Sequence, residues 1–135
     1  MKKTLLATVA LLAAVAQAQT TDTLKKIKDS GSVTMGVRES SSPLSYTLGD
    51  GKFAGFHVEV CQRVLADVQK SLGLAKLETK YQPVTSQNRI PLVQNGTVDI
   101  ECGSTTNNAT RQKDVAFAPT TYVEEVRMAV KANSG

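Results

Sequence analysis

From His57 to Leu72 the apolar residues Val58, Cys61, Val64, Leu65, Val68 and Leu72 recur three and four positions apart, which places them on one stripe of a helix. Glu59, Arg63 and Asp67 fall on its other face at i, i+4 spacing and support one another weakly. Upstream, Thr21 to Ser30 offers Thr or Asp as a cap, Leu24 and Ile27 three apart and Gly31 as a stop, so a short helix is predicted. Val33 to Val37 reads as a strand ending at Arg38, and Glu39 to Pro43 as a polar loop that breaks pairing. Leu44 to Leu48 and Lys52 to Phe56 flank Gly49-Asp50-Gly51, a hairpin signal. Beyond Gly73, Leu77 to Tyr81 alternates as a strand. Arg89 to Gln94 then forms a second, shorter helix, with Asn88 as its N-cap and Pro91 in the first turn, where a missing N–H costs little. Asn95-Gly96 closes that helix, and Val98 to Glu101 is the next strand. Val115 to Ala118 and Val123 to Val130 also read as extended.

Strand, helix, strand, helix, strand in this order implies an α/β unit with a mainly parallel sheet and right-handed crossovers. In such sheets ligands sit beyond the carboxyl ends of the strands. Arg38, the Thr85 to Arg89 group and Gly103 to Thr106 all follow predicted strand ends, so the topology alone brings three separated segments to one edge.

Composition changes this picture at the N-terminus. Lys2 and Lys3, an apolar run from Leu5 to Val15 and the small-x-small triplet Ala16-Gln17-Ala18 have the form of a secretory signal peptide, leaving a mature chain from Gln19 that does not span a membrane. The leader and the lack of a lipobox Cys place the mature protein in the bacterial periplasm. Its loss removes two lysines from an excess of 16 Lys and Arg over 12 Asp and Glu. The remaining basic residues are scattered and Trp is absent, so nucleic acid is not a supported partner. Export to an oxidising compartment allows Cys61 and Cys102 to pair, and both also suit buried apolar positions. One histidine and no CxxC argue against a zinc site, and no cofactor is implied.

Several side chains at the convergent edge invite a chemical reading beside a bland one. Arg38 leaves a strand into a Ser-rich loop, where a solvated arginine is also common. Arg89 starts a helix, where the macrodipole disfavours a cation. Ser86 is either a turn residue or a ligand contact. Ser104, Thr105 and Thr106 lie in a Gly-containing turn that could cap the chain or hold a carboxylate or an amine. Arg111 is near enough in sequence to share an anion with them through its guanidinium fork. One arginine per carboxylate gives a ligand with two carboxylates. Catalysis has less to stand on: His57 has no Cys or Asp at a telling spacing, Ser104 has no GxSxG context, and Glu101 is a single acid without a partner.

The segments Arg38-Glu39-Ser40, Thr85-Ser-Gln-Asn-Arg-Ile-Pro91, Gln94-Asn-Gly-Thr97 and Glu101-Cys-Gly-Ser-Thr-Thr-Asn-Asn108 with Arg111 closely resemble the periplasmic glutamate/aspartate-binding proteins of ABC transporters. The wider pattern, with Gly55 to Val60 opening a helix and Phe117-Ala118-Pro119 closing the region, looks like family 3 solute-binding proteins. The resemblance implies an α/β periplasmic-binding-protein-like lobe that binds L-glutamate or L-aspartate and delivers it to an inner-membrane ABC permease, with no reaction catalysed. It implies that Ser104, Thr106 and Arg111 hold the α-amino and α-carboxylate groups, and that Arg38, Ser86 and Arg89 hold the side-chain carboxylate. His57 and Glu59 stand where the wider family is Asp-rich and take no ligand role. Residues 19–125 correspond to a first lobe, and 126–135 to the start of a strand crossing into a second lobe. Half a cleft is expected to bind weakly. An exported dehydratase on the same fold and a sensory ligand-binding domain are the alternatives.

Overall fold

Residues 22–125 and 127–133 are described in a computed structural model. The expected leader, residues 1–18, lies outside them, as does position 126. The chain begins with α1 (Thr23–Ser30), whose first turn is capped by Asp22: its Oδ1 accepts the Lys25 N–H at 3.1 Å. Gly31 ends the helix in the left-handed region.

The strand β1 (Ser32–Val37) is the centre of a three-stranded sheet. The chain returns through α2 (Phe56–Ser71) to β5 (Glu78–Pro83), and through α3 (Arg89–Gln94) to β6 (Ile100–Glu101). Both β5 and β6 run parallel to β1, with Ser32 opposite Glu78 and Met35 opposite Ile100, in the order β5-β1-β6. Parallel neighbours need crossover connections, and the two helices read in the sequence supply them.

β1 is covered on both faces. Val33, Met35 and Val37 pack with Val58, Cys61 and Leu65 of α2, with Ile27 of α1 and with Cys102. Each such side chain is worth about 1.5–3 kcal/mol on burial. On the opposite face Gly36 admits the Val98 and Val84 side chains close to the backbone. Val64, at the margin of the α2 stripe, remains 45% exposed. Cys61 and Cys102 are disulfide-bonded as well as buried, which decides between the alternatives left open above by satisfying both.

The hairpin forms as β3 (Ser45–Gly49) and β4 (Lys52–Ala54) around Asp50-Gly51. Both turn residues have positive φ, 50° and 70°, the type I′ geometry that matches strand twist. Three expectations are corrected here. Ser40 and Ser41 do not break pairing: they form β2, antiparallel to β3 with Ser41 opposite Ser45. Asn88 flanks α3 but does not cap it; its Oδ1 accepts the Thr85 N–H at 2.7 Å while Thr85 Oγ1 accepts the Asn88 N–H, a reciprocal turn upstream of the helix. Residues 115–118 and the described part of 123–130 join no strand ladder; 115–118 run instead over a cavity beside β6, and Val123, Met128 and Val130 are exposed.

Candidate functional site

The carboxyl ends of β5, β1 and β6 open on the same edge, and Arg38, the turn at residues 85–88 and residues 103–106 follow them directly. Arg38 is fixed from three sides. Its N–H donates to Ser45 Oγ at 2.9 Å, its Nη1 to the Val84 carbonyl at 2.7 Å and its Nε to Ser41 Oγ at 3.2 Å. Ser104 Oγ donates to the same Ser41 Oγ at 3.2 Å. Ser41 therefore links the two arms, accepting from Arg38 Nε and sharing a hydroxyl–hydroxyl bond with Ser104.

Arg89 is only 6% exposed although it begins a helix. Its Nη1 stands 3.9 Å from Glu101 Oε1 at the end of β6, too far for a hydrogen bond. Arg89 Nε and Nη1, Glu101 Oε1 and Thr105 Oγ1 are buried with no hydrogen-bond partner among the described residues. Such groups normally cost about 1–3 kcal/mol each when left unmade, more when charged. Burial pushes the Arg89 guanidinium below its ordinary value; the Glu101 charge opposes this, and the Arg111 and Arg38 charges add to it. Burial likewise raises the Glu101 carboxyl, against the nearby Thr105 hydroxyl and then Arg89, Arg38 and His57. The Thr105 influence is one of proximity, since its oxygen closes no hydrogen bond of good geometry.

Gly103 permits this crowding. A Cβ there would collide with the Glu101 carboxylate and the Arg38 side chain. The Gly103 carbonyl is braced by His57 Nδ1, which must carry a proton because a carbonyl only accepts. His57 Nε2 lies 2.8 Å from Thr121 Oγ1. Arg111 opens a 3-10 turn (Arg111–Lys113) and donates from Nη1 to the Thr106 carbonyl at 2.9 Å, while Asn108 Oδ1 takes its backbone N–H.

Of the six residues singled out in the sequence, Arg38 and Ser104 meet through Ser41, Arg111 holds Thr106, and the Arg38 and Arg111 charges both act on Arg89. Ser86 is exposed on the turn at residues 85–88 and shares no hydrogen bond with the others. Ser41 and the pairing of Glu101 with Arg89 were missed. Ser41 lay in a stretch read as irregular, and Glu101 was seen only as a lone acid because its partner is twelve residues away on another element. A cavity of about 630 Å3 opens between α2, α3 and β6, with Arg89, Glu101, Ser104 and Thr106 in its lining. Among the described residues no three His, Cys, Asp or Glu side chains gather as a metal site, and no helix is long and apolar enough to cross a membrane. Chemically, three guanidinium groups, several hydroxyls and the buried Arg89 N–H groups that lack an acceptor stand along this edge, a set of groups that attracts anions.

The chain is 54% identical over 110 residues to the L-glutamate/L-aspartate-binding protein of Pseudomonas aeruginosa, covering 80% of this chain and 36% of that one. Among solved structures it is similar to an ancestral cyclohexadienyl dehydratase, with a TM-score of 0.55 and 29% identity over 67% of this chain and 34% of that one. It shares its fold with the arginine-bound form of domain 1 from TmArgBP of T. maritima, with a TM-score of 0.61 and 23% identity over 73% of this chain and 71% of that one. The chain spans 36% of the length of the first curated relatives it matches. Residues 33–135 match the bacterial extracellular solute-binding proteins, family 3, and the chain belongs to that family.

Proposed function

We propose that the chain is the first ligand-binding lobe of an exported receptor for L-glutamate or L-aspartate, which passes its ligand to an inner-membrane ABC permease in the periplasm. The observation that carries the reading is Arg89: a buried guanidinium at the carboxyl edge of the sheet, with Nε and Nη1 unpartnered and the Arg38 and Arg111 charges acting on it. In this reading Arg38, Ser86 and Arg89 take the side-chain carboxylate. Ser104, Thr106 and Arg111 take the α-amino and α-carboxylate groups. The glutamate and aspartate named for the Pseudomonas aeruginosa relative fit two carboxylates shared among three arginines.

In this reading residues 19–125 belong to the first lobe and those from 126 lead toward a second one; the exposed Val123, Met128 and Val130 fit a segment that is buried in a longer protein. A single lobe supplies about half the contacts and no closure, so its affinity is low. The arginine-bound domain 1 of TmArgBP supports the idea that one lobe of this fold can hold an amino acid.

The chain acts as a binding module. A dehydratase reading draws on the likeness to the ancestral enzyme and on the buried acid Glu101, but the neighbouring base His57 has both ring nitrogens engaged, by the Gly103 carbonyl and the Thr121 hydroxyl. Thermal unfolding with L-glutamate, L-aspartate, L-glutamine and L-arginine tests the proposal. Ligand at ten times its dissociation constant stabilises by about 1.4 kcal/mol, which raises the unfolding temperature by several degrees. Stabilisation by L-glutamate and L-aspartate alone, without turnover, is expected; equal stabilisation by L-arginine, or turnover of a carboxylated cyclic substrate, would overturn it.

A further inference from the structure

Glu101 places a carboxylate inside a site otherwise built to attract carboxylates. Its side chain is 13% exposed, and Oε1 stands 3.9 Å from Arg89 Nη1. A direct hydrogen bond there would occupy an Nη1 donor; at this distance Nη1 and Nε remain buried and unpartnered while the opposite charge still holds the group. Gly103 maintains the arrangement, since any side chain at that position would strike both the Glu101 carboxylate and Arg38. The charged and titratable groups around Glu101 are Arg89 of α3, Arg38 at the end of β1 and His57 of α2, with the Thr105 hydroxyl beside it. Among the described residues no second carboxylate acts on it.

We propose that Glu101 is a positioning residue for the ligand site: it holds Arg89 across the strand ends with its donors open, and it takes up a proton when a ligand carboxylate joins it on Arg89. This rests on the functional reading above. An added anion shares the Arg89 charge and repels Glu101, and both effects favour the protonated carboxyl. Burial already holds Glu101 above its ordinary range, so the coupling falls at pH values above that range. Proton uptake on binding makes affinity fall as pH rises, by up to about tenfold per pH unit across the titration of this one group. It also gives the pocket a way to accept two carboxylates beside a resident third without leaving an unpaired buried charge.

The test is calorimetric titration of the chain with L-glutamate at about pH 5 to 7, a range around and above the ordinary glutamate value, in phosphate and in imidazole buffers of differing protonation enthalpy. Wild type is expected to take up a fraction of a proton per ligand. Glu101→Gln is expected to bind with no proton uptake beyond that of the ligand itself, and to lose the corresponding slope of affinity with pH. Glu101→Asp, which keeps the charge and shortens the reach, is expected to retain uptake over a shifted pH range with several-fold weaker binding. It carries the test alone if circular dichroism shows Glu101→Gln unfolded. Binding with buffer-independent heats in wild type, uptake retained in Glu101→Gln, or an unchanged pH range in Glu101→Asp would overturn the proposal while leaving the receptor reading intact. No binding of L-glutamate at any pH would overturn the receptor reading, and this inference with it.

Discussion

Cys61 and Cys102 are separated by 41 positions and tie the buried face of α2 to the residue that follows β6. Opening that bond with a reductant leaves the folded contacts in place but frees the unfolded chain from a loop of that length. The chain-entropy relation gives about 4 kcal/mol for such a loop, with about 2–4 kcal/mol typical of measured bridges. A domain of this size has a total stability of roughly 5–15 kcal/mol, so the bridge supplies a large share of it. By comparison the exposed Lys25–Asp29 pair on α1 is screened by solvent and contributes little. The assay is urea unfolding followed by far-UV circular dichroism with and without a thiol reductant. With a slope of about 1–2 kcal/mol per molar urea, the midpoint should fall by about 2 M on reduction. The effect should reach the site as well. Cys102 donates its N–H to the Gly36 carbonyl at 2.8 Å and precedes Gly103, so the bridge steadies the turn that carries Ser104 and Thr106. Reduced and oxidised midpoints within about 0.3 M of one another would refute the reasoning.

Gly103→Ala should destabilise the chain by about 1–3 kcal/mol and weaken L-glutamate binding, because the added Cβ must displace Glu101 or Arg38; urea midpoints and calorimetry measure the two effects. Replacing Arg89 and Glu101 together by Met should leave stability unchanged or raise it by about 1–4 kcal/mol while abolishing ligand binding, since their charges are buried, 3.9 Å apart and without a hydrogen bond between them. A marked loss of stability in that double variant would mean that the pair serves the fold. The raised Glu101 carboxyl also sets a pH dependence. A group whose folded value lies above its unfolded one contributes stability that is full below about 4.5 and is lost as pH rises through the folded value. Glu101→Gln should therefore gain on wild type in urea midpoint as pH rises through that range; a constant difference would count against the shift.

The helices were legible because their signals are local. Asp22 and Gly31 bracket α1, and the stripe from Val58 to Leu72 marks α2 whatever it packs against. The parallel sheet followed from element order, and the convergence of Arg38, residues 85–89 and residues 103–106 followed from the sheet. What stayed hidden depends on partners distant in the chain or on choices between neighbours. Ser40-Ser41 has no apolar alternation, and it pairs because the hairpin presents Ser45 and Tyr46 opposite it. Asn88 has the chemistry of a cap, but Thr85 offers its N–H and hydroxyl together and the reciprocal turn prevails. Glu101 could be seen as an acid at a strand end, yet only the fold brings it to Arg89 across the β6 and α3 ends. Residues 115–118 and 123–130 have the pattern of strands, but an extended pattern becomes a strand only when a neighbour pairs with it.

The most direct measurement of the central claim is a nuclear magnetic resonance titration of the isotopically labelled chain with L-glutamate, L-aspartate, L-glutamine and L-lysine. With the two dicarboxylic ligands, the backbone amides of Gly103 to Thr106 and the Nε–Hε signals of Arg38 and Arg89 should move together along one saturating curve. L-glutamine and L-lysine should leave those signals in place. Equal shifts with L-lysine, or dicarboxylate-dependent shifts that spare this edge of the sheet, would contradict the account.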